Sequence, residues 1–269
     1  MNDELVKEIT SIKNISENKL MENFANVTKK RDFNDNLIPM ETIHIKKNEN
    51  DIAPVLMIML PPFDSTSEDF INKGFVKTIK ESNFDADILL ANAHFGYYKN
   101  RCLEDRLYED VILKAKDCRY QNIWLIGISM GGVGALTYLR KYSETIDGVF
   151  LISPFLAQPE IYDEIKNAGG LRKWEPKEEI EEEEKLRAVW YWLKKYFVNR
   201  DKLPRLALGF GKDDIFADSY HLLSEILEKE NLFIIDGHHD WKTWHDLFSR
   251  FLQCNKWRSR DISHHESMI

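Results

Sequence analysis

The segment from Gly127 to Gly132 constrains the fold of this chain more than any other part, and its sequence is Gly-Ile-Ser-Met-Gly-Gly. An apolar run at 123–126 precedes it, and a helix-compatible stretch at 133–142 follows it. The glycines on either side of Ser129 remove Cβ atoms where a strand and a helix crowd together, so the serine can occupy a strained turn with its hydroxyl exposed. The pattern predicts a nucleophile elbow, with the Met130 N–H at the start of the helix. The alternative is a simple glycine-rich turn.

Short apolar runs alternate with helical segments along most of the chain. Such alternation predicts βαβ units and a mostly parallel central sheet flanked by helices, an α/β fold. Functional residues of such sheets lie at the carboxyl ends of the strands. Strands are predicted at 41–46, 55–60, 86–91, 123–126, 148–153, 205–210 and 232–236, and helices at about 67–82, 103–116, 219–230 and 242–253.

The sequence also predicts how the chain is organised around this sheet. Apolar residues recur at helical spacing between 3 and 30, so we expect residues 1–36 to form an N-terminal helical extension. Residues 37–253 form the main domain, and residues 254–269, without an apolar period, form a frayed tail. At about 156–203 an acidic run precedes an aromatic cluster. We expect a helical cap insertion that covers a pocket; the alternative is a solvated surface helix.

Composition excludes several classes of partner. The formal net charge of −8 argues against nucleic acid, because phosphate binding depends on clustered Lys and Arg. The apolar stretch at 55–60 is far too short to cross a bilayer, so no membrane partner is expected. No signal peptide is visible at the N-terminus, and the three cysteines are few and odd in number. These features favour the cytoplasm.

No feature of the sequence predicts a metal or a cofactor. The eight histidines show no metal-ligand spacing. The chain contains neither a Walker loop nor a dinucleotide-binding G-x-G-x-x-G. We therefore expect neither a metal nor a cofactor.

Two loops that follow predicted strands carry candidate partners for Ser129. A serine hydroxyl is a poor nucleophile near neutral pH, so it needs a base that takes its proton and a third group that orients the base. The loop at 211–218 supplies adjacent aspartates, and the loop at 237–244 supplies adjacent histidines. The resulting chain order of Ser, Asp and His is that of an α/β-hydrolase triad.

The chain resembles the α/β-hydrolases, and more narrowly the serine esterases related to esterase D. In that group the elbow is G-x-S-M-G-G, and the histidine loop is G-G-H-D/S-W followed by a second tryptophan. Segments 127–132 and 237–244 match both, and the resemblance covers most of residues 40–252. It implies an α/β-hydrolase fold and a serine carboxylic-ester hydrolase that cleaves a small-molecule ester through a Ser-His-Asp triad and an acyl-enzyme.

The resemblance also assigns the base and the acid. His239 is the base, since it immediately precedes Asp240-Trp241. His238, which fills what is usually a glycine, remains the alternative. The acid loop of the family resembles G-x-x-D-P-I-V-P, and its alignment with this chain places the catalytic carboxylate on Asp213. Asp214 remains the alternative, because spacing alone does not separate two adjacent carboxylates.

The second oxyanion donor of the family follows the strand at 55–60. Many members have His-Gly there, whereas this chain has Pro61-Pro62. Proline has no N–H, so Phe63 is the first residue that can donate. The expected oxyanion hole therefore consists of the backbone amides of Phe63 and Met130.

Three aromatic residues are candidates for substrate binding. Tyr97 and Tyr98 follow the strand at 86–91, and Trp190 lies in the predicted cap; aromatic packing against the sheet is the alternative. An acyltransferase or a thioesterase could use the same triad, because the triad activates a carbonyl whichever nucleophile follows. A non-catalytic binding protein of this fold is a further alternative, and a homodimer is left open.

Overall fold

The structure of the chain, a computed structural model, describes residues 39–156, 158–176, 180, 184–199 and 203–254. The predicted N-terminal helix and residues 255–269 of the predicted tail lie outside these residues. The division into an extension, a main domain and a tail therefore stays a prediction.

Seven strands form one sheet in the described part of the chain. They are β1 (Thr42–Ile45), β2 (Val55–Leu60), β3 (Ala86–Ala91), β4 (Asn122–Ile128), β5 (Gly148–Ile152), β6 (Arg205–Gly211) and β7 (Leu232–Ile235). Their order in the sheet is β1-β3-β2-β4-β5-β6-β7. Only the pairing of β1 with β3 is antiparallel among these strands. The predicted α/β fold with a mostly parallel sheet is confirmed.

Helices cover both faces of the sheet. The described α-helices are α1 (Ser67–Asn72), α2 (Phe75–Glu81), α3 (Phe95–Lys99), α4 (Leu103–Leu107), α5 (Leu113–Asp117), α6 (Met130–Tyr142), α7 (Pro159–Asn167), α8 (Lys185–Asn199), α9 (Ala217–Ser224) and α10 (Trp241–Gln253). A π-helical turn, Tyr108–Ile112, joins α4 to α5. Among the described helices, none is both long enough and apolar enough to cross a bilayer.

The helix predicted at about 67–82 is in fact two short helices, α1 and α2. The chain turns between them at Gly74, whose φ of 87° lies in the left-handed region. Glycine adopts this conformation without the steric cost that a Cβ brings. A single helix would require helical dihedral angles at this position.

Alternate residues of the central strands enter two separate apolar cores. In β4, Ile123 and Leu125 belong to the core that includes residues of α6, α8 and α9. Trp124 and Ile126 belong to the core that includes residues of α1, α2 and α10. Because both faces are covered by helices, the loops at the carboxyl ends of the strands are the natural place for a site.

The region predicted as a cap insertion contributes α7 and α8 to the described residues. α8 packs against α6, the helix that follows Ser129. Glu164 of α7 accepts a hydrogen bond from Trp174 Nε1 (2.9 Å) and forms an ion pair with Arg187 of α8. The described part of this region is thus a pair of linked helices, one of which packs beside the helix of the predicted elbow, and its role as a cap stays a prediction.

Candidate active site

Ser129 joins β4 to α6 in a conformation that non-glycine residues rarely adopt. Its φ is 51° and its ψ is −111°. Its N–H donates to the carbonyl oxygen of Ile152 (2.9 Å), and its own carbonyl oxygen accepts from the N–H of Phe155 (2.9 Å). These bonds to the neighbouring strand and its following loop hold the turn in place, as a strained residue requires.

The glycines of the motif make this turn sterically feasible. A Cβ on Gly127 would overlap the carbonyl oxygen of Gly131, and a Cβ on Gly131 would overlap that of Leu60. A Cβ on Gly132 would overlap Pro154. The strand, the helix and the end of β2 therefore approach one another at backbone distance, and this geometry fits the elbow predicted from the sequence.

The imidazole of His239 connects Ser129 to a buried carboxylate. Its Nε2 lies 3.0 Å from Ser129 Oγ. Its Nδ1 lies 2.9 Å from Oδ2 and 3.1 Å from Oδ1 of Asp214. An ionised carboxylate only accepts hydrogen bonds, so Nδ1 carries the proton and Nε2 accepts from the serine hydroxyl. Ser129 is 5% exposed and Asp214 is 2% exposed, so both bonds form largely away from water.

The structure corrects the choice between the two aspartates: the carboxylate that binds His239 is that of Asp214, not of Asp213. Asp213 is exposed, and its N–H donates to the carbonyl oxygen of Gly237 (3.0 Å). Asp214 begins a turn in which its carbonyl oxygen accepts from Ala217 N–H (2.9 Å). This turn directs the side chain of Asp214 inward and leaves that of Asp213 in solvent.

Two further donors bind the Asp214 carboxylate. The N–H of Phe216 donates to Oδ1 (3.0 Å), and the hydroxyl of Tyr220 lies 3.3 Å from the same oxygen. Burial, together with the charge of Asp214, raises the pKa of Tyr220 well above its usual value, so the hydroxyl stays protonated and donates. Tyr220 was not among the predicted site residues, because an aromatic residue inside a predicted helix has the same pattern as a core residue.

Close backbone packing brings the aspartate loop against the histidine loop. A Cβ on Gly211 would overlap the carbonyl oxygen of Gly237. Beyond the end of β6, Lys212 N–H donates to the carbonyl oxygen of Ile235 (2.8 Å). The two loops thus continue the pairing of β6 with β7, which fixes the separation of Asp214 from His239.

Of the two adjacent histidines, the structure brings His239 to Ser129, as the sequence predicts. Its ring makes two edge-to-face contacts, one with Phe216 at a centroid distance of 5.1 Å and one with Trp244 at 5.0 Å. His238 is exposed, and its Nδ1 lies 3.3 Å from the carbonyl oxygen of Asp213. Two aromatic contacts and the bonds to Asp214 therefore restrict the orientation of the His239 imidazole.

The two predicted oxyanion donors lie on neighbouring elements. Leu60, at the end of β2, is in register with Gly127 of β4, so the segment leading to Phe63 begins beside the turn at Ser129. Met130 is the first residue of α6, and N–H groups in the first turn of a helix have no intrahelical acceptor. Both amides are placed suitably for oxyanion donors, but their role as donors stays a prediction.

The three residues predicted to bind substrate are engaged within the protein. The hydroxyl of Tyr98 donates to the carbonyl oxygen of Met130 (3.2 Å). Burial, together with the charge of Glu104, raises the pKa of this phenol. Tyr97 and Trp190 are 2% and 1% exposed and belong to the apolar core. These positions favour packing roles, and direct contact with a substrate stays a prediction.

Within the described residues, no three His, Cys, Asp or Glu side chains are grouped so that they could hold a metal ion. Cys102, Cys118 and Cys254 are reduced cysteines.

One known protein family has a model that matches the middle of the chain. The family model Hydrolase_4, described as serine aminopeptidase, S33, matches residues 105–189. This stretch includes Ser129 but neither Asp214 nor His239. Among curated proteins, no sequence matches the chain.

Solved structures show the fold more fully. An S-formylglutathione hydrolase from Staphylococcus aureus is 18% identical, with 76% of this chain and 81% of that chain covered and a TM-score of 0.51. Est1E from Butyrivibrio proteoclasticus is 17% identical, with 80% and 91% covered and a TM-score of 0.54. A fluorophosphonate-binding serine hydrolase from Staphylococcus aureus is 14% identical, with 80% and 98% covered and a TM-score of 0.52. At such identities the likeness concerns the fold alone, and the chain has the α/β-hydrolase fold that its sequence predicts.

Proposed function

We propose that this chain is a serine carboxylic-ester hydrolase in which Ser129, His239 and Asp214 form the catalytic triad. The observation that carries the proposal is the unbroken hydrogen-bonded connection from Ser129 Oγ through the imidazole to Asp214, with distances of 3.0 and 2.9 Å. A nucleophile, a base and a group that orients the base are the parts that acyl transfer through serine requires.

The acylation half of the proposed reaction uses the serine, the imidazole, the carboxylate and the two backbone amides. His239 Nε2 takes the hydroxyl proton while Ser129 Oγ bonds to the ester carbonyl carbon, and the carbonyl oxygen becomes an oxyanion. Asp214 holds the imidazole in the required tautomer and stabilises its protonated form. The backbone N–H groups of Phe63 and Met130 donate to the oxyanion. The intermediate collapses as the bond to the alcohol oxygen breaks and His239 gives that oxygen its proton.

Deacylation repeats the sequence with water. His239 takes a proton from a water molecule as that water attacks the acyl carbon on Ser129. The second tetrahedral intermediate breaks the bond to Oγ, and His239 returns the proton to the serine. The products are a carboxylic acid and the free enzyme, so no cofactor is consumed.

Aromatic rings around the serine favour a small-molecule ester with an apolar group. Phe155, whose N–H binds the Ser129 carbonyl, lies edge to face with Phe216 at a centroid distance of 5.2 Å. Phe63 and Phe95 form a second such pair at 5.3 Å. Phe63, Phe95 and Phe155 each keep part of their surface exposed. Exposed aromatic surface next to a reactive serine is suited to an apolar acyl or alcohol moiety.

Fluorophosphonate labelling and ester turnover test the proposal together. We expect the probe to label Ser129 in the folded protein, and turnover of a short p-nitrophenyl ester to fall by about 10³-fold or more in Ser129→Ala. Ser67→Ala is a matched control, because Ser67 is 3% exposed and lies on α1. Labelling that persists in Ser129→Ala, or turnover equal to that of the control, would refute the assignment.

Product analysis separates hydrolysis from the two alternatives on the same triad. We expect water to be the acceptor, so that free acid is the product in the presence of added alcohols, amines or thiols. Predominant transfer to an added acceptor would identify an acyltransferase, and strong preference for thioesters would identify a thioesterase. Absence of any turnover by a protein that folds and binds esters would identify a binding protein.

Two further expectations belong to this proposal. The cytoplasm is the expected compartment, and three reduced cysteines are consistent with it. Fractionation of cells that produce the protein tests this. A homodimer stays open, and light scattering coupled to size-exclusion chromatography determines the oligomeric state.

A further inference from the structure

Tyr220 is a buried tyrosine outside the proposed triad, and its hydroxyl contacts the triad residue Asp214. It lies on α9, is 0% exposed, and packs its ring against Phe210 at a centroid distance of 5.1 Å. Its hydroxyl lies 3.3 Å from Asp214 Oδ1. The burial of the ring fixes the position of the hydroxyl, since the side chain has no room for another orientation.

The direction of this hydrogen bond follows from the chemistry of its two groups. An ionised carboxylate only accepts, so the phenol must donate. Ser153 lies near the same hydroxyl, close enough to offset part of the rise in the Tyr220 pKa. The Ser153 Oγ makes no hydrogen bond of normal geometry with any described residue. Asp214 is therefore the acceptor that the Tyr220 hydroxyl uses.

The donors around Asp214 are distributed unequally over its two oxygens, although His239 Nδ1 contacts both. Oδ1 accepts from Phe216 N–H and from Tyr220, while Oδ2 makes the shorter contact with His239 Nδ1, at 2.9 Å. A carboxylate held at one oxygen has a fixed plane, so its other oxygen is directed at the imidazole. Of the two groups that hold Oδ1, only the tyrosine hydroxyl is a side chain.

We infer that Tyr220 is a positioning residue of the triad, which holds the Asp214 carboxylate in the plane that His239 requires. The inference rests on the proposed function, because positioning has a consequence only where the triad reacts. Tyr220 lies behind Asp214 and acts through it, so its removal lowers kcat and leaves KM unchanged.

Tyr220→Phe removes the hydroxyl and keeps the ring. We expect kcat to fall by about tenfold, the size of effect typical of losing a hydrogen bond to a charged group, with KM within about twofold of wild type. Tyr138→Phe is the matched control, because Tyr138 is also 0% exposed and its hydroxyl bonds to Thr145 Oγ1 (2.6 Å) at the far end of α6. The control should lose similar stability and keep its kcat within about twofold. Rates are expressed per site titrated with fluorophosphonate, so that misfolded protein does not contribute.

A double-mutant cycle distinguishes positioning from a general structural effect. If Tyr220 acts through Asp214, Tyr220→Phe has no further effect on kcat in an Asp214→Asn background. A kcat of Tyr220→Phe equal to wild type, or an equal decrease in both backgrounds, would overturn the inference. Failure of the proposed function is recognised separately, as turnover that survives Ser129→Ala.

Discussion

His239 Nδ1 contacts both carboxylate oxygens of Asp214, at 2.9 and 3.1 Å. It makes no such contact with Asp213, the aspartate that precedes Asp214 in the chain. Only one of the two side chains is turned away from solvent. A buried charge is tolerated when hydrogen bonds compensate its lost hydration, and Asp214 has donors from His239, Phe216 and Tyr220. The exposed neighbour retains its hydration and needs no such partners.

The pair of aspartates gives the first prediction, since each can be changed to asparagine separately. Asp214→Asn places an amide against Nδ1 and favours the wrong tautomer of His239, so kcat should fall by about 10³-fold to 10⁴-fold. Asp213→Asn changes an exposed side chain and should keep kcat within about twofold. Steady-state turnover of a p-nitrophenyl ester measures both. Equal losses in the two variants would contradict the assignment of the acid.

Most of the fold could be predicted because buried segments have apolar residues in recognisable patterns. The continuous apolar run at 55–60 predicts a strand covered on both faces, and all six residues of β2 are buried. The break between α1 and α2 was missed because an isolated glycine in a helical pattern is usually tolerated. Only the left-handed φ at Gly74 shows that the chain turns there.

The sequence was sufficient to predict which loops form the site and which residue types they supply. It was not sufficient to predict which of two adjacent aspartate side chains faces inward. Glycine spacing identified Ser129, and strand-end placement identified the two partner loops. The choice between Asp213 and Asp214 depends on a turn whose hydrogen bonds are not encoded in spacing. The aromatic cluster around Trp190 was ambiguous for a similar reason, because a pocket lining and a helix packed on a core have the same composition.

The second prediction concerns Tyr98, whose hydroxyl binds the carbonyl oxygen of Met130. Tyr98→Phe removes a partly buried donor that binds the first residue of α6, so the free energy of unfolding should fall by about 1 kcal/mol. KM should stay within about twofold, because the hydroxyl is already engaged by the protein. Urea denaturation and ester kinetics measure the two quantities. A several-fold rise in KM at unchanged stability would instead support the predicted contact with substrate.

The third prediction concerns the backbone contact between the aspartate and histidine loops. Gly211→Ala forces a Cβ into the carbonyl oxygen of Gly237, and the strain should cost about 3 kcal/mol of stability. The same displacement separates Asp214 from His239, and misplacement of about 1 Å typically lowers activity by about a hundredfold.

Gly209→Ala is the control for this variant, because it lies two residues earlier on β6. Its Cβ would lie 3.0 Å from a ring carbon of Phe150, so a side chain and not the backbone would have to give way, by a few tenths of an ångström. We expect a loss of about 1 kcal/mol and a kcat within a few-fold of wild type. Similar kcat values for the two variants would show that the loops tolerate separation.

The last prediction concerns Asp240, which caps α10 immediately after His239. Its carboxylate accepts from Thr243 N–H (2.8 Å). Burial opposes ionisation, but the bonds from Thr243 and the nearby His238 outweigh it and hold the pKa of Asp240 below its usual value. A lowered pKa means that the ionised form stabilises the fold, so this contribution is present above the ordinary aspartate pKa and is lost as the pH falls through the lowered one.

Substitutions at Asp240 separate the cap from the charge. Asp240→Ala should lower the free energy of unfolding by about 1 kcal/mol near neutral pH, and this deficit should shrink as acid protonates the wild-type carboxyl. Asp240→Asn retains an acceptor for Thr243 N–H, so it should stay within about 0.5 kcal/mol of wild type and lose less stability in acid. Urea denaturation at several pH values measures these differences. A deficit of the alanine variant that is constant from neutral to strongly acidic pH would show that the ionised cap does not stabilise α10.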